Sequence, residues 1–177
     1  MKERRRTWMV FFVVATGMAF FLSQRHQQAK SGGLTPVAMR QAAPDMVMEQ
    51  MGGGDWRLGE HRGQVVLMNL WATWCGPCRE ETPALARLYR EMKPKGLEVV
   101  GLSLDVGGRE KVHAFAQKFD VPYPITFPEP MSQLADTVKG VPTTILIDRQ
   151  GRVAKTYVGA VLETVFKEDV EILLNEN

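Results

Sequence analysis

The two cysteines of the chain, Cys75 and Cys78, stand three residues apart between segments of opposite periodicity. Upstream, residues 65–71 (VVLMNLW) form a near-continuous apolar run with β-branched members, the pattern of a strand buried on both faces. Downstream, Leu85, Leu88, Tyr89 and Met92 recur at helical spacing among charges. This predicts a helix over 78–93, kinked at Pro83. Helix N-termini present free N–H groups and a positive dipole end, which stabilise a thiolate at Cys75 and bring its pKa to about 6–7.5. Cys75 is expected to be exposed, with Gly76 leaving its sulfur accessible and Pro77 fitting the first turn. Cys78, one turn along and buried, pairs with it as the resolving thiol. A structural disulfide over so short a loop stabilises little. Zinc needs four ligands, and His26, His61 and His113 lack paired spacing. No metal and no cofactor are expected, and the Met residues between 39 and 51 read as soft core filling.

The remaining pattern alternates strands with helices. Strands are predicted at 97–104, 123–127, 143–147 and 152–158. Helices are predicted at 110–119, 131–138 and 161–174. Residues 45–51 and 55–58 flank Gly52-Gly53-Gly54 and read as a small hairpin. The result is an α/β domain with a mixed central sheet flanked by helices.

Charge divides the chain in two. Residues 1–30 hold six bases and one acid, net +5, which leaves the remainder at −3. A weakly acidic main domain argues against a nucleic-acid partner. The bases at 2–6 precede fifteen uncharged residues, 8–22 (WMVFFVVATGMAFFL), at the short end of what spans a bilayer. Residues 1–23 are therefore read as a signal-anchor transmembrane helix, single-pass with the N-terminus inside, and 24–42 as a linker to a domain at 43–177. Cleavage after Ala29-Lys30-Ser31 is the alternative, with a poor approach behind Arg25, His26 and Lys30.

WCGPC after VVLMNLWAT resembles the thioredoxin superfamily, and Gly140-Val141-Pro142-Thr143-Thr144 ahead of a strand resembles its cis-proline loop. Ala43-Pro44-Asp45, Arg62 to Val66 (RGQVV), Cys78 to Pro83 (CREETP) and the extra stretch 108–127 resemble the membrane-anchored branch of TlpA/ResA/DsbE-like thiol-disulfide oxidoreductases. The resemblance covers residues 43–174. It implies a thioredoxin-like fold with an N-terminal β-hairpin and a central αβ insertion. It implies a redox disulfide between Cys75 and Cys78, a cis Val141–Pro142 bond, and client binding by Trp74, Val141 and Pro142. Asn69 stands where thioredoxin carries a buried Asp and cannot titrate. The branch places its acid three residues after the second cysteine, at Glu81, which would act as a catalytic group with Cys75 and Cys78. Glu80 is expected to face solvent.

The implied function is an extracytoplasmic reductant of client disulfides, such as those of apocytochrome c or copper-site cysteines, during cytochrome and oxidase assembly. Its electrons would come from a membrane thiol transporter of the CcdA/DsbD type. An oxidase or isomerase of folding envelope proteins is the alternative, disfavoured by Gly-Pro between the cysteines. A non-enzymatic copper-site assembly factor would expect wider cysteine spacing. A peroxidase on this fold would need Thr and Pro where Ala72 and Met68 stand.

Overall fold

Strand β3 (Val65–Trp71) is buried at every position, and so is β4 (Leu97–Ser103), its parallel neighbour. These two strands form the centre of a seven-stranded mixed sheet in a computed structural model that describes residues 33–128 and 140–176. The other strands are β1 (Val47–Gln50), β2 (Asp55–Arg57), β5 (Ile125–Phe127), β6 (Thr143–Ile147) and β7 (Val153–Val158), in the order β2-β1-β5-β4-β3-β6-β7. β6 runs antiparallel to β3 and continues as a hairpin into β7. β1 and β2 form the expected N-terminal hairpin, which joins the sheet antiparallel to β5. Its turn needs left-handed backbone at Gly53 (φ +92°) and Gly54 (φ +79°), open to glycine without strain.

Three helices complete the described fold: α1 (Gly76–Met92), α2 (Arg109–Lys118) and α3 (Glu163–Leu174). Each begins or ends within two residues of its sequence expectation, and α1 runs through Pro83 as one helix. α1 packs Leu85, Leu88, Tyr89 and Met92 against Val65, Leu67, Val99 and Leu146, together with Phe166, Val170 and Leu173 of α3. Val66, Met68, Leu70, Val100 and Leu102 form a second cluster with Trp56 and Leu58 from the hairpin region. This alternation of β3 and β4 residues between clusters follows from the period-two geometry of strands. The insertion 108–127 supplies α2 and β5, and β5 pairs in parallel with β4. Gly101 lies under the Trp71 indole; a Cβ there would meet Nε1 at 2.9 Å, so only glycine lets the ring settle on β4. Trp71 then packs on Phe115 of α2 with ring centroids 4.4 Å apart.

The domain begins earlier than expected. Residues 34–42, assigned to the linker by their polar composition, are packed on the fold: Leu34 is buried, Thr35 N–H donates to the Ala154 carbonyl, and Gln41 and Ala43 pair with the β7 edge. The compact unit accordingly starts at Leu34 rather than Ala43. The reason is Arg40, whose charge reads as a solvated linker residue but is buried against Asp148 and Glu176. Among the described residues no helix is long and apolar enough to cross a membrane. The expected transmembrane helix at 1–23 and the helix at 131–138 lie outside the described residues.

Candidate active site

α1 begins at the CxxC. Cys75 is its N-cap, and Cys75 Sγ accepts the Cys78 N–H at 3.1 Å. Pro77 sits in the first turn, where no N–H is required. Cys75 and Cys78 are joined by a disulfide, with Cα atoms 5.3 Å apart. Both sulfurs belong to a cluster with Trp71, Ala72, Val112 and Phe115. The expected contrast in exposure is absent in this oxidised form: Cys75 is 4% and Cys78 2% exposed. Exposure at the site falls instead on Gly76, Pro77 and above all Trp74, 69% exposed.

Glu81 lies one helical turn beyond Cys78 and is buried, whereas Glu80 is exposed. Two donors hold its carboxylate, and one of them is itself anchored on Thr144. Asn69 Nδ2 donates to Oε2 at 3.0 Å, Val161 N–H donates to Oε1 at 2.9 Å, and Asn69 Nδ2 also reaches Thr144 Oγ1 at 2.9 Å. Burial raises the Glu81 pKa above the ordinary carboxylate value; the Val161 N–H and the Asn69 amide pull it back in part. Tyr123 responds to the same environment: burial, and then the Glu81 charge, push its hydroxyl up.

A carboxyl group whose folded pKa is raised contributes stability that is full below its unfolded pKa, near 4.3, and is lost as pH rises through the folded value. Glu81→Gln removes that loss, and Asn69 can turn its amide to accept from the new NH₂. The variant is therefore expected to gain stability over the parent between about pH 5 and neutrality and to match it near pH 4. Urea unfolding at the two pH values checks this; a variant less stable than the parent at neutral pH would contradict it.

The Val141–Pro142 bond is cis, as the loop's resemblance implied. The Pro142 carbonyl accepts the Gly159 N–H at 2.8 Å, and Val141 packs on the cluster that holds both cysteines. The structure thus brings Val141, Pro142, Cys75 and Cys78 to one end of the sheet. Asn69 serves as more than a residue that cannot titrate: it holds Glu81. A single polar residue inside VVLMNLW was the signal, because a buried amide needs partners. The Val161 N–H had no such signal. His61 stacks on Trp56 at 4.7 Å and bonds Gln64, and His113 is exposed.

This geometry, a CxxC disulfide capping a helix beside a cis-proline loop, agrees with the family comparison. The profile of the AhpC/TSA family matches residues 39–156. The chain belongs to the AhpC/TSA family. Within it the similarity is to thiol-disulfide oxidoreductases. The chain is 38% identical over 139 residues to thiol-disulfide oxidoreductase ResA of Geobacillus kaustophilus, covering 77% of this chain and 76% of that one. It is 28% identical over 181 residues to ResA of Bacillus subtilis, covering 98% and 96%. Among solved structures it resembles a thiol:disulfide interchange protein DsbE from Chlorobium tepidum, with a TM-score of 0.70, 29% identity and coverage of 77% and 97%. The fold is thioredoxin-like, and this AhpC/TSA member is a thiol-disulfide oxidoreductase that acts on client proteins through cysteines.

Proposed function

We propose that the chain is a membrane-tethered reductant outside the cytoplasm, working in cytochrome and oxidase assembly. The observation that carries this reading is the pairing of the Cys75–Cys78 disulfide with a buried carboxylate, Glu81, one helical turn further on. In the reduced protein the Cys75 thiolate attacks a client disulfide. A Cys75–client bond forms, and one client sulfur leaves as a thiolate and takes up a proton. Cys78 then gives its proton to Glu81 and attacks the Cys75 sulfur. This restores the Cys75–Cys78 disulfide and releases the second client thiol, so two electrons pass to the client. A carboxyl with a raised pKa is suited to this exchange with a buried thiol. Trp74, exposed beside the disulfide, and the Val141–Pro142 loop form the contact surface for the client segment.

The tether rests on the basic and apolar pattern of residues 1–23, which supports a catalytic domain in the periplasm or its equivalent. The alignment with the Bacillus subtilis relative, covering 98% of this chain, supports a shared N-terminal segment. Clients are disulfides in apocytochrome c haem-attachment motifs or copper-site cysteines. The electron donor is a membrane thiol transporter of the CcdA/DsbD type.

Cys78→Ser tests the reading in cells, because it leaves the Cys75–client bond unresolved. The expected result is mixed disulfides with apocytochrome c or copper-site proteins in the membrane fraction. Capture of newly folding envelope proteins at large would favour the oxidase or isomerase reading, and capture of none would remove the assembly role.

A further inference from the structure

The loop that leads into Cys75 is held by a side chain from the neighbouring strand. β3 and β4 pair up to Trp71 and Ser103, and the Leu104 N–H still reaches the Trp71 carbonyl at 2.8 Å. There the two chains part. The β3 chain turns toward α1, closed by the Cys75 N–H on the Ala72 carbonyl at 3.2 Å. Thr73, inside this turn, has left the sheet and lost its strand partner. The Asp105 carboxylate takes that place. One oxygen accepts the Thr73 N–H at 2.9 Å and the Ser103 hydroxyl at 2.9 Å; the other accepts the Thr73 hydroxyl at 2.5 Å. On the far side, the Thr73 carbonyl accepts Arg79 Nε at 3.1 Å, from the first turn of α1. The N–H, hydroxyl and carbonyl of Thr73 are all engaged, two of them by Asp105.

We infer that Asp105 is a positioning residue for thiol-disulfide exchange: through Thr73 it sets the Ala72–Cys75 turn and keeps Cys75 Sγ over the Cys78 N–H. That N–H lies 3.1 Å from the sulfur and is the donor best placed to stabilise a thiolate there. The inference goes beyond the proposed clients and tether. It rests only on Cys75 being the attacking thiol.

The chemistry of the site separates hydrogen bonding from charge. A carboxylate only accepts, which suits three donors on two oxygens. In Asp105→Asn the amide oxygen can keep the Thr73 N–H and the Ser103 hydroxyl, while its NH₂ donates to a rotated Thr73 hydroxyl. In Asp105→Ala none of these bonds survives. Both variants lose the charge, so the difference between them reports the bonds alone.

The experiment follows iodoacetamide alkylation of the reduced full chain across pH, with the modified cysteine identified by mass spectrometry. Asp105→Ala is expected to slow Cys75 alkylation near neutral pH about tenfold and to move the inflection of the pH profile upward. Asp105→Asn is expected to stay within about twofold of the parent. Asn as slow as Ala, or Ala as fast as the parent with label on Cys75, would overturn the inference. Label on Cys78 in the unsubstituted protein would instead overturn the Cys75 assignment, so the two failures are distinct. If Asp105→Ala does not fold, Thr73→Val drops only the hydroxyl bond and is expected to slow alkylation about threefold; an unchanged rate there also overturns the inference.

Discussion

Cys75→Ser is expected to abolish reduction of a disulfide substrate, lowering the rate by more than about a thousandfold, the scale seen when a nucleophile is removed. A serine hydroxyl has no ionised population near neutrality, and its oxygen cannot form the sulfur–sulfur bond that the first step requires. The helix N-terminus and the Cys78 N–H would remain in place, but with no thiolate to stabilise. Cys78 does not substitute for it. It sits inside α1 rather than at its cap, so it lacks the first-turn N–H that faces Cys75. Cys78→Ser should behave differently: the first attack on substrate persists in a single-turnover assay, while turnover is lost because the mixed disulfide is not resolved. Substrate reduction under excess dithiol, with single-turnover release of the first thiol, separates the two variants. Turnover by Cys75→Ser within tenfold of the parent would reverse the roles of the two sulfurs.

Much of this was legible in local pattern. Continuous apolar runs became β3 and β4, and Gly52-Gly53-Gly54 became the hairpin turn. The family resemblance, with the helical face shared by Cys78 and Glu81, singled out Glu81 over Glu80, and the structure buries the first and exposes the second. What stayed hidden were contacts between residues distant in sequence. Glu81 is held by Asn69, 12 residues away, and by Val161, 80 residues away. Thr73 depends on Asp105, 32 residues away. A backbone N–H such as that of Val161 leaves no mark in a side-chain pattern.

Arg40 shows the same limit, and its replacement should produce the largest change in stability. Within QAKSGGLTPVAMRQA it looks like one more solvated base, but its side chain is 2% exposed. Its Nε donates to the Thr35 carbonyl at 2.8 Å, Nη1 to Asp148 at 3.1 Å and to Glu176 at 2.5 Å, and Nη2 to Glu176 at 2.8 Å. These partners lie 108 and 136 residues away along the chain, so one guanidinium joins the entry segment, the β6–β7 turn and the second residue after α3. Arg40→Ala leaves buried Asp148 with one guanidinium, that of Arg152 with its Nε 2.8 Å away, beside the Gln150 and Arg152 N–H groups, and is expected to cost about 3 kcal/mol. Lysine should recover part of this, since it keeps the charge but not the fork. Burial would push the Asp148 carboxyl up; the Arg152 N–H and the Arg40 and Arg152 guanidinium groups outweigh it and hold it below the usual value. A depressed pKa contributes stability above the unfolded value and loses it as pH falls through the folded one. The deficit of Arg40→Ala should therefore be full at neutral pH and shrink below about pH 4, where Asp148 begins to protonate. Ile147 pairs with Val66 at the start of β3, so Asp148 sits at the end of the sheet away from the CxxC. Exchange by the folded variant should then match the parent. Urea midpoints at both pH values, with the exchange rate as control, decide it: a loss under about 1 kcal/mol would make this a surface pair in effect, and a loss that grows on acidification would mean that Asp148 is not the group left exposed to the deficit.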